Sequence, residues 1–180
     1  MSGRDRKFIR KKFRPGLNAN NMPQMNSNIE TIPVAGLTLQ LIWHGNELQN
    51  TRIIPEKKEI SGIDFLRLQS PQLAKALTEY SQLSWTIIRE TKLPFTDQTP
   101  FMCSVLNTLR SSVPFGQTIT YGELAELSGY PRAARAVGRC MAKNPWPVVI
   151  PCHRVVGCNS QGGFSSGPAI KKMLLDLEKQ

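Results

Sequence analysis

No stretch of this 180-residue sequence approaches the ~20 consecutive apolar residues that a bilayer-spanning helix requires, so a chain that works in water is expected. Histidine is scarce, at two residues, and cysteine is hardly richer, at four: Cys103, Cys140, Cys152 and Cys158. That supply fits neither a paired Cys-x-x-Cys metal site nor the dense cysteine usage of small secreted scaffolds. No bound metal is therefore expected, and the thiols are expected to be reduced inside a cell. Behind the basic N-terminus there is no apolar core of roughly 7–15 residues, which argues against a secretory signal. Internal repeats are also lacking.

What is present is positive charge, unevenly placed. The net charge is +10, of which residues 1–14 carry +6, residues 15–96 carry zero and residues 97–180 carry +4. A basic excess points to a polyanionic partner. Residues 1–30 are polar and without periodicity, so they read as a disordered or loosely attached tail. Residues 31–95 read as a small α/β domain and residues 96–180 as a helical one, with the boundary in the Pro94–Pro100 stretch.

Local patterns support that division. Leu37, Leu39, Leu41 and Trp43 alternate with Thr38, Gln40 and Ile42, and His44-Gly45-Asn46-Glu47 supplies turn chemistry, so residues 33–54 predict a hairpin. Ser70-Pro71 opens a predicted helix over 70–83 with Leu73, Ala76, Leu77 and Tyr80 at helical spacing. Phe101–Leu109 is a one-faced helix, and Tyr121–Leu127 is another, closed by Ser128-Gly129. Pro131 is placed to begin a third, giving helix, tight turn and helix, an outline used to lay a recognition helix on DNA. Arg132, Arg135, Arg139 and Lys143 are spaced to share one stripe of that helix, with Ala133, Val137 and Met141 on a different face. A last helix carries Ile170, Met173, Leu174 and Leu177 as its expected buried stripe.

The chemistry gathers around Pro151-Cys152-His153-Arg154-Val155, preceded by Asn144-Pro145-Trp146-Pro147. A thiolate is the nucleophile, and a free thiol with pKa ~8.5 supplies only a few per cent of it at neutral pH. An imidazole that accepts the proton corrects this, and a carboxylate beyond the imidazole would fix its tautomer. Asp176 and Glu178 are the acidic residues that follow the motif. A lone Cys-His pair is more often a small buried hydrophobe beside an incidental histidine.

Residues 99–178 resemble the C-terminal domain of the O6-alkylguanine-DNA alkyltransferases. The resemblance implies an α+β fold, with a ribonuclease-H-like domain followed by a winged-helix-like domain containing the helix–turn–helix. It also implies a monomer without cofactors that flips O6-alkylguanine out of double-stranded DNA and moves the alkyl group onto Cys152, once per molecule. O4-alkylthymine is a second candidate substrate. By the same resemblance His153 takes the thiol proton through a water, Glu178 orients His153, and Asn144 ties the recognition helix to the active-site turn. Tyr121 helps rotate the nucleotide and protonates the guanine ring, and Arg135 fills the gap left in the stack. Ala134 permits close approach from the minor groove, while Arg132 and Arg139 face phosphates. Met141, Pro147, Val155, Phe164 and Ser165 line the substrate pocket. Such a protein works in the cytoplasm of a prokaryote and the nucleus of a eukaryote.

Two residues depart from the family pattern: Phe164 stands where tyrosine is common and Ser166 where glycine is common. The metal-binding Cys and His pattern of some members' first domain is missing, and Cys103, Cys140 and Cys158 read as structural or incidental. Three other readings stay open at this point: a catalytically silent binder of alkylated DNA, a plain helix–turn–helix regulator, and a cysteine hydrolase. The first lacks the acceptor cysteine present here, the second leaves Asn144 and the Cys-His-Arg run unused, and the third needs an oxyanion site that is not evident.

Overall fold

The computed structural model describes residues 27–54 and 62–179. The basic segment 1–14 and most of the expected tail lie outside the described residues. Three strands open the fold: β1 (Ser27–Val34), β2 (Leu37–His44) and β3 (Glu47–Ile54), antiparallel in the order β1-β2-β3. The β2–β3 hairpin turns where expected, with Gly45 at φ 56. β1 is an addition, and it begins four residues inside the stretch expected to be loose. Its alternation of Ile32 and Val34 was truncated by the polar run before it, yet Glu30 is itself buried because it accepts from the Trp43 indole Nε1 at 2.7 Å. Ala35 and Gly36 both have positive φ, the geometry that matches a two-residue hairpin turn to strand twist.

One face of the sheet buries Ile32, Val34, Leu39, Leu41, Trp43, Leu48 and Ile53. Two helices stand where one was expected: α1 (Pro71–Glu79) lies against the sheet and α2 (Gln82–Arg89) packs on α1. Tyr80 breaks the expected 70–83 helix by turning left-handed, and Ser81 then caps α2 through a reciprocal bond with Ser84. Fully buried side chains continue without a break from the sheet through α1 and α2 into the second half of the chain.

The second half holds α3 (Pro100–Ser112), α4 (Tyr121–Leu127), α5 (Ala134–Ala142) and α6 (Pro168–Glu178). A two-stranded parallel pair, β4 (Ile119–Thr120) with β5 (Val155–Val156), ties the start of α4 to the segment after Cys152. The whole is a mixed α/β arrangement of one small antiparallel sheet and packed helices. α4 and α5 form the expected helix, turn and helix, but α5 starts later than Pro131. Arg132 sits in the turn at φ 66 and Lys143 caps the far end, so the four-residue stripe reduces to Arg135 and Arg139 on the helix proper. The stripe of α6 is also rotated from the expected one: Lys171, Leu174, Leu175 and Glu178 are buried, while Ile170, Met173 and Leu177 are half-buried. Burial of a lysine and a glutamate is what an apolar pattern cannot register. Among the described residues no helix is long and apolar enough to cross a membrane.

Candidate active site

The site is built on the segment after α5. Asn144 folds this segment onto itself: its Oδ1 accepts from the Trp146 amide and its Nδ2 donates to the Ile150 carbonyl, both at 3.0 Å. Val148 is forced to φ 76, an unfavourable conformation for a β-branched residue, and holds it because Trp146 to Ile150 are buried. From the sheet, the Thr51 hydroxyl donates to the Pro147 carbonyl at 2.7 Å, and the Trp146 indole donates to the Leu48 carbonyl at 2.8 Å. The tight segment delivers Cys152 to the first position of a one-turn 3-10 helix, Cys152–Arg154. Cys152 and His153 are thus not strand neighbours pointing apart, as an extended segment would make them.

Cys152 lies at the floor of a cavity of about 230 Å³ lined by Tyr121, Gly138, Met141, Ala142, Gly163, Phe164 and Ser165. Of the expected pocket residues, Met141, Phe164 and Ser165 are there. Pro147 and Val155 are not: Val155 is fully buried in the β4–β5 pair, and Pro147 faces a neighbouring groove with Asn144, Ser165 and Ser166. Burial pushes the Cys152 thiol up, and the Asn144 side chain, the Lys171 charge and nearby backbone amides offset only part of that. At rest this is a thiol, and a base is needed to activate it.

That base lies alongside. His153 is completely buried, and burial holds its pKa below the usual imidazole value against the opposing pull of Glu178. Its Nε2 is 2.7 Å from Glu178 Oε1. Burial disfavours the Glu178 charge, yet hydrogen bonds and charges from His153 and Arg154 bring it down to about 2. An ionised carboxylate accepts only, so Nε2 donates and the lone pair is left on Nδ1, which is buried and unpartnered among the described residues.

Three participants escaped the sequence. Arg154 is fully buried, grips Glu178 with two nitrogens at 2.8 and 3.1 Å, and stacks its guanidinium 3.9 Å from the centre of the Trp85 ring. Tyr80, from the end of α1, donates to Glu178 Oε1 at 2.5 Å. Lys171 donates to the carbonyls of Val155 at 2.6 Å and Gly163 at 3.3 Å, fixing the loop that forms one cavity wall. Arg154 stood inside the quoted motif, but nothing local distinguished it from a surface arginine. Tyr80 stood in an expected apolar helical stripe and Lys171 outside one, so neither carried a signal.

Tyr121 begins α4 and reaches the cavity. Burial raises the pKa of its phenol, and the Gly163 backbone offsets part of that. Gly162 makes room for it: at φ 70, a Cβ there would lie 2.7 Å from the Tyr121 oxygen. Gly138 of α5 sits under the same ring. Around this mouth Arg132, Arg135 and Arg139 are exposed and Ala134 is half-buried at the first position of α5. No group of side chains among the described residues has the composition of a metal site.

Residues 100–180 match the family model described as 6-O-methylguanine DNA methyltransferase, DNA binding domain. The methylated-DNA–protein-cysteine methyltransferase of Mycobacterium leprae is 34% identical over 143 residues, 78% of this chain and 86% of that protein. The enzyme of that name from Methanosarcina acetivorans is 48% identical over 81 residues, 44% of this chain and 51% of its own length. This chain spans only about half of that relative. Among solved structures, Mycobacterium tuberculosis OGT in complex with DNA superposes with a TM-score of 0.61 at 32% identity, covering 84% of this chain and 92% of that one. The O6-methylguanine-DNA methyltransferase from Pyrococcus kodakaraensis KOD1 gives 0.59 at 28%, with 84% and 98% covered. With similarity of this extent running through both halves, the chain belongs to the methylated-DNA–protein-cysteine methyltransferase family.

Proposed function

We propose that this chain repairs double-stranded DNA directly, by taking the alkyl group from the O6 position of guanine onto Cys152. O4-alkylthymine is a second substrate. The S–C bond forms as the C–O6 bond breaks. The thiol proton goes to His153 Nδ1 through water, and a proton from Tyr121 to the guanine ring eases departure of the base. The thioether has no leaving group, so one molecule performs one transfer. Nothing in this balance calls for a cofactor. One observation carries the reading: a buried thiol faces an open-mouthed cavity beside an imidazole whose tautomer is fixed by an ionised carboxylate.

The alkylated oxygen lies inside the duplex, so the base has to leave the stack. The exposed Arg135 on α5 is placed to occupy the vacancy, Ala134 and Gly138 to let the helix approach the minor groove, and Arg132 and Arg139 to meet phosphates. Met141, Phe164 and Ser165 wall the extruded base. Asn144 supports the turn beneath Cys152, while Pro147 and Val155 act from behind the cavity. In this reading residues 31–95, extended by β1, form a ribonuclease-H-like domain. Residues 96–180 form a winged-helix-like domain that binds DNA and carries the reaction, and the chain acts as a monomer.

The test is intact mass after incubation with a duplex containing O6-methylguanine. The expected product has one methyl in place of one hydrogen, mapped to Cys152, and the reaction stops there. Cys152→Ser should bind the duplex and gain nothing, because its hydroxyl is not ionised near neutral pH. No mass gain in the unsubstituted protein would leave only a silent binder, and continued turnover would make it a hydrolase.

A further inference from the structure

Tyr80 adopts φ 33 and ψ 68, a left-handed conformation rarely tolerated by a bulky side chain. It is held there by its backbone N–H, which donates to the Ala76 carbonyl at 2.9 Å, and by an edge-on contact with the Phe115 ring. The result is that a phenol from the end of α1 reaches His153 and Glu178, which lie 73 and 98 positions away in sequence. Strain retained at such a place asks what the side chain does there.

We propose that Tyr80 is a positioning residue for the transfer step: its hydroxyl joins Glu178 in holding the proton on Nε2 of His153 and keeps that imidazole neutral until the thiol proton arrives. The rate measurements below rest on the alkyl-transfer reading, but the spectroscopic one does not.

Counting protons gives the first half. The phenol has one proton, and Glu178 is ionised and can only accept. At 2.5 Å from Glu178 Oε1, the phenol proton is committed to the carboxylate. Its oxygen is also 3.1 Å from His153 Nε2, and toward that atom it can now only accept. Nε2 therefore faces two acceptors, Tyr80 Oη and Glu178 Oε1, and both contacts require Nε2–H. The imidazole lone pair has to sit on Nδ1.

Charge gives the second half. The titratable and charged groups facing His153 are Glu178 and Lys171 from α6, Cys152 and Arg154 from its own turn, and Tyr80 from α1. Arg154 and Lys171 oppose an imidazolium, and Glu178 alone favours one. Tyr80 shares that carboxylate with His153, the two Arg154 nitrogens and the Gly116 amide, so the negative charge is spread over five donors. Without the phenol, more of that charge is available to a protonated His153.

Tyr80→Phe keeps the ring against Phe115 and removes only the hydroxyl. In single-turnover transfer the acid limb of the pH profile should move up by about one pH unit, with a loss of about tenfold below the limb. The alkaline plateau and the affinity for duplex should change little. An unchanged profile, or an equal loss at every pH alongside a lower Tm, overturns the proposal, since a residue that merely packs would produce the latter. Imidazole ¹⁵N–¹H spectra supply the independent reading, with His44 as the chain's other histidine. His153 should carry its proton on Nε2 and titrate lower than in Tyr80→Phe; a proton on Nδ1 in the unsubstituted protein refutes the idea. A protein that gives the expected spectrum but transfers nothing counts against alkyl transfer and leaves Tyr80's role standing. If Tyr80→Phe does not fold, 3-fluorotyrosine at position 80, a stronger donor of nearly equal size, should lower the His153 titration. No movement there refutes it too.

Discussion

Glu178→Gln is the substitution whose cost the structure specifies most fully. The carboxylate takes Tyr80, His153 and one Arg154 nitrogen on Oε1, and the other Arg154 nitrogen with the Gly116 amide on Oε2. Glutamine offers one oxygen, so its amide nitrogen must point at donors on one side or the other. The fully buried Arg154 also loses its counter-ion, and breaking one partner out of a buried pair costs roughly 3–5 kcal/mol. The pH dependence gives a second figure. Glu178 sits at about 2 against an ordinary 4.5, which corresponds to about 3 kcal/mol of folding stability. Because the folded value is the lower one, that stability is complete above 4.5 and drains away as pH falls toward 2. Urea unfolding of both proteins across this range is the assay. The unsubstituted protein should lose stability through the window, the glutamine form should start lower, and the gap between them should close as pH falls. A glutamine form within about 1 kcal/mol of the parent at neutral pH, or a gap that stays constant with acid, would refute the assignment of Glu178 as the ionised centre of the network.

Arg135→Ala should slow transfer strongly on a fully paired duplex and far less on a mismatched duplex or free alkylated base, since flipping then costs less or nothing. Arg139→Ala should instead reduce the salt dependence of binding by about one ion without that asymmetry; equal slowing of Arg135→Ala on all three substrates rules out a place in the base stack. Gly162→Ala puts a methyl where the Tyr121 oxygen lies and adds left-handed strain of about 1 kcal/mol. Its single-turnover rate should fall out of proportion to its small loss in urea unfolding, and a normal rate would mean Tyr121 need not occupy that position.

The sequence carried the second half of the fold better than the first, for physical reasons. α4 is legible to the residue because Thr120 and Glu123 form a capping box and Gly129 closes the far end. α2 was hidden because Tyr80 makes a left-handed turn without a glycine to announce it, and β1 because Glu30 is a buried strand residue that looks like a surface one. Pro131 suits a first helical turn and so predicts α5 one turn early, whereas Arg132 at φ 66 postpones it. The Cys152–His153–Glu178 set could be drawn from motif resemblance. Tyr80, Arg154 and Lys171 could not, because each is a polar residue made interior by partners outside its own helix or turn. Pairing across such distances leaves no periodic trace.

The position of Glu178 in α6 has a consequence for how the protein comes into being. The nucleophile and its base are synthesised before the carboxylate that settles the imidazole, which follows 25 residues after His153. Domains fold as they emerge from the ribosome, N-terminal parts first. A nascent chain ending anywhere before α6 can therefore hold its sheet, its helix–turn–helix and its thiol, yet the imidazole has no fixed tautomer and Arg154 has no counter-ion. The site is completed by the docking of α6, so the thiol stays without a settled base until that helix is in place.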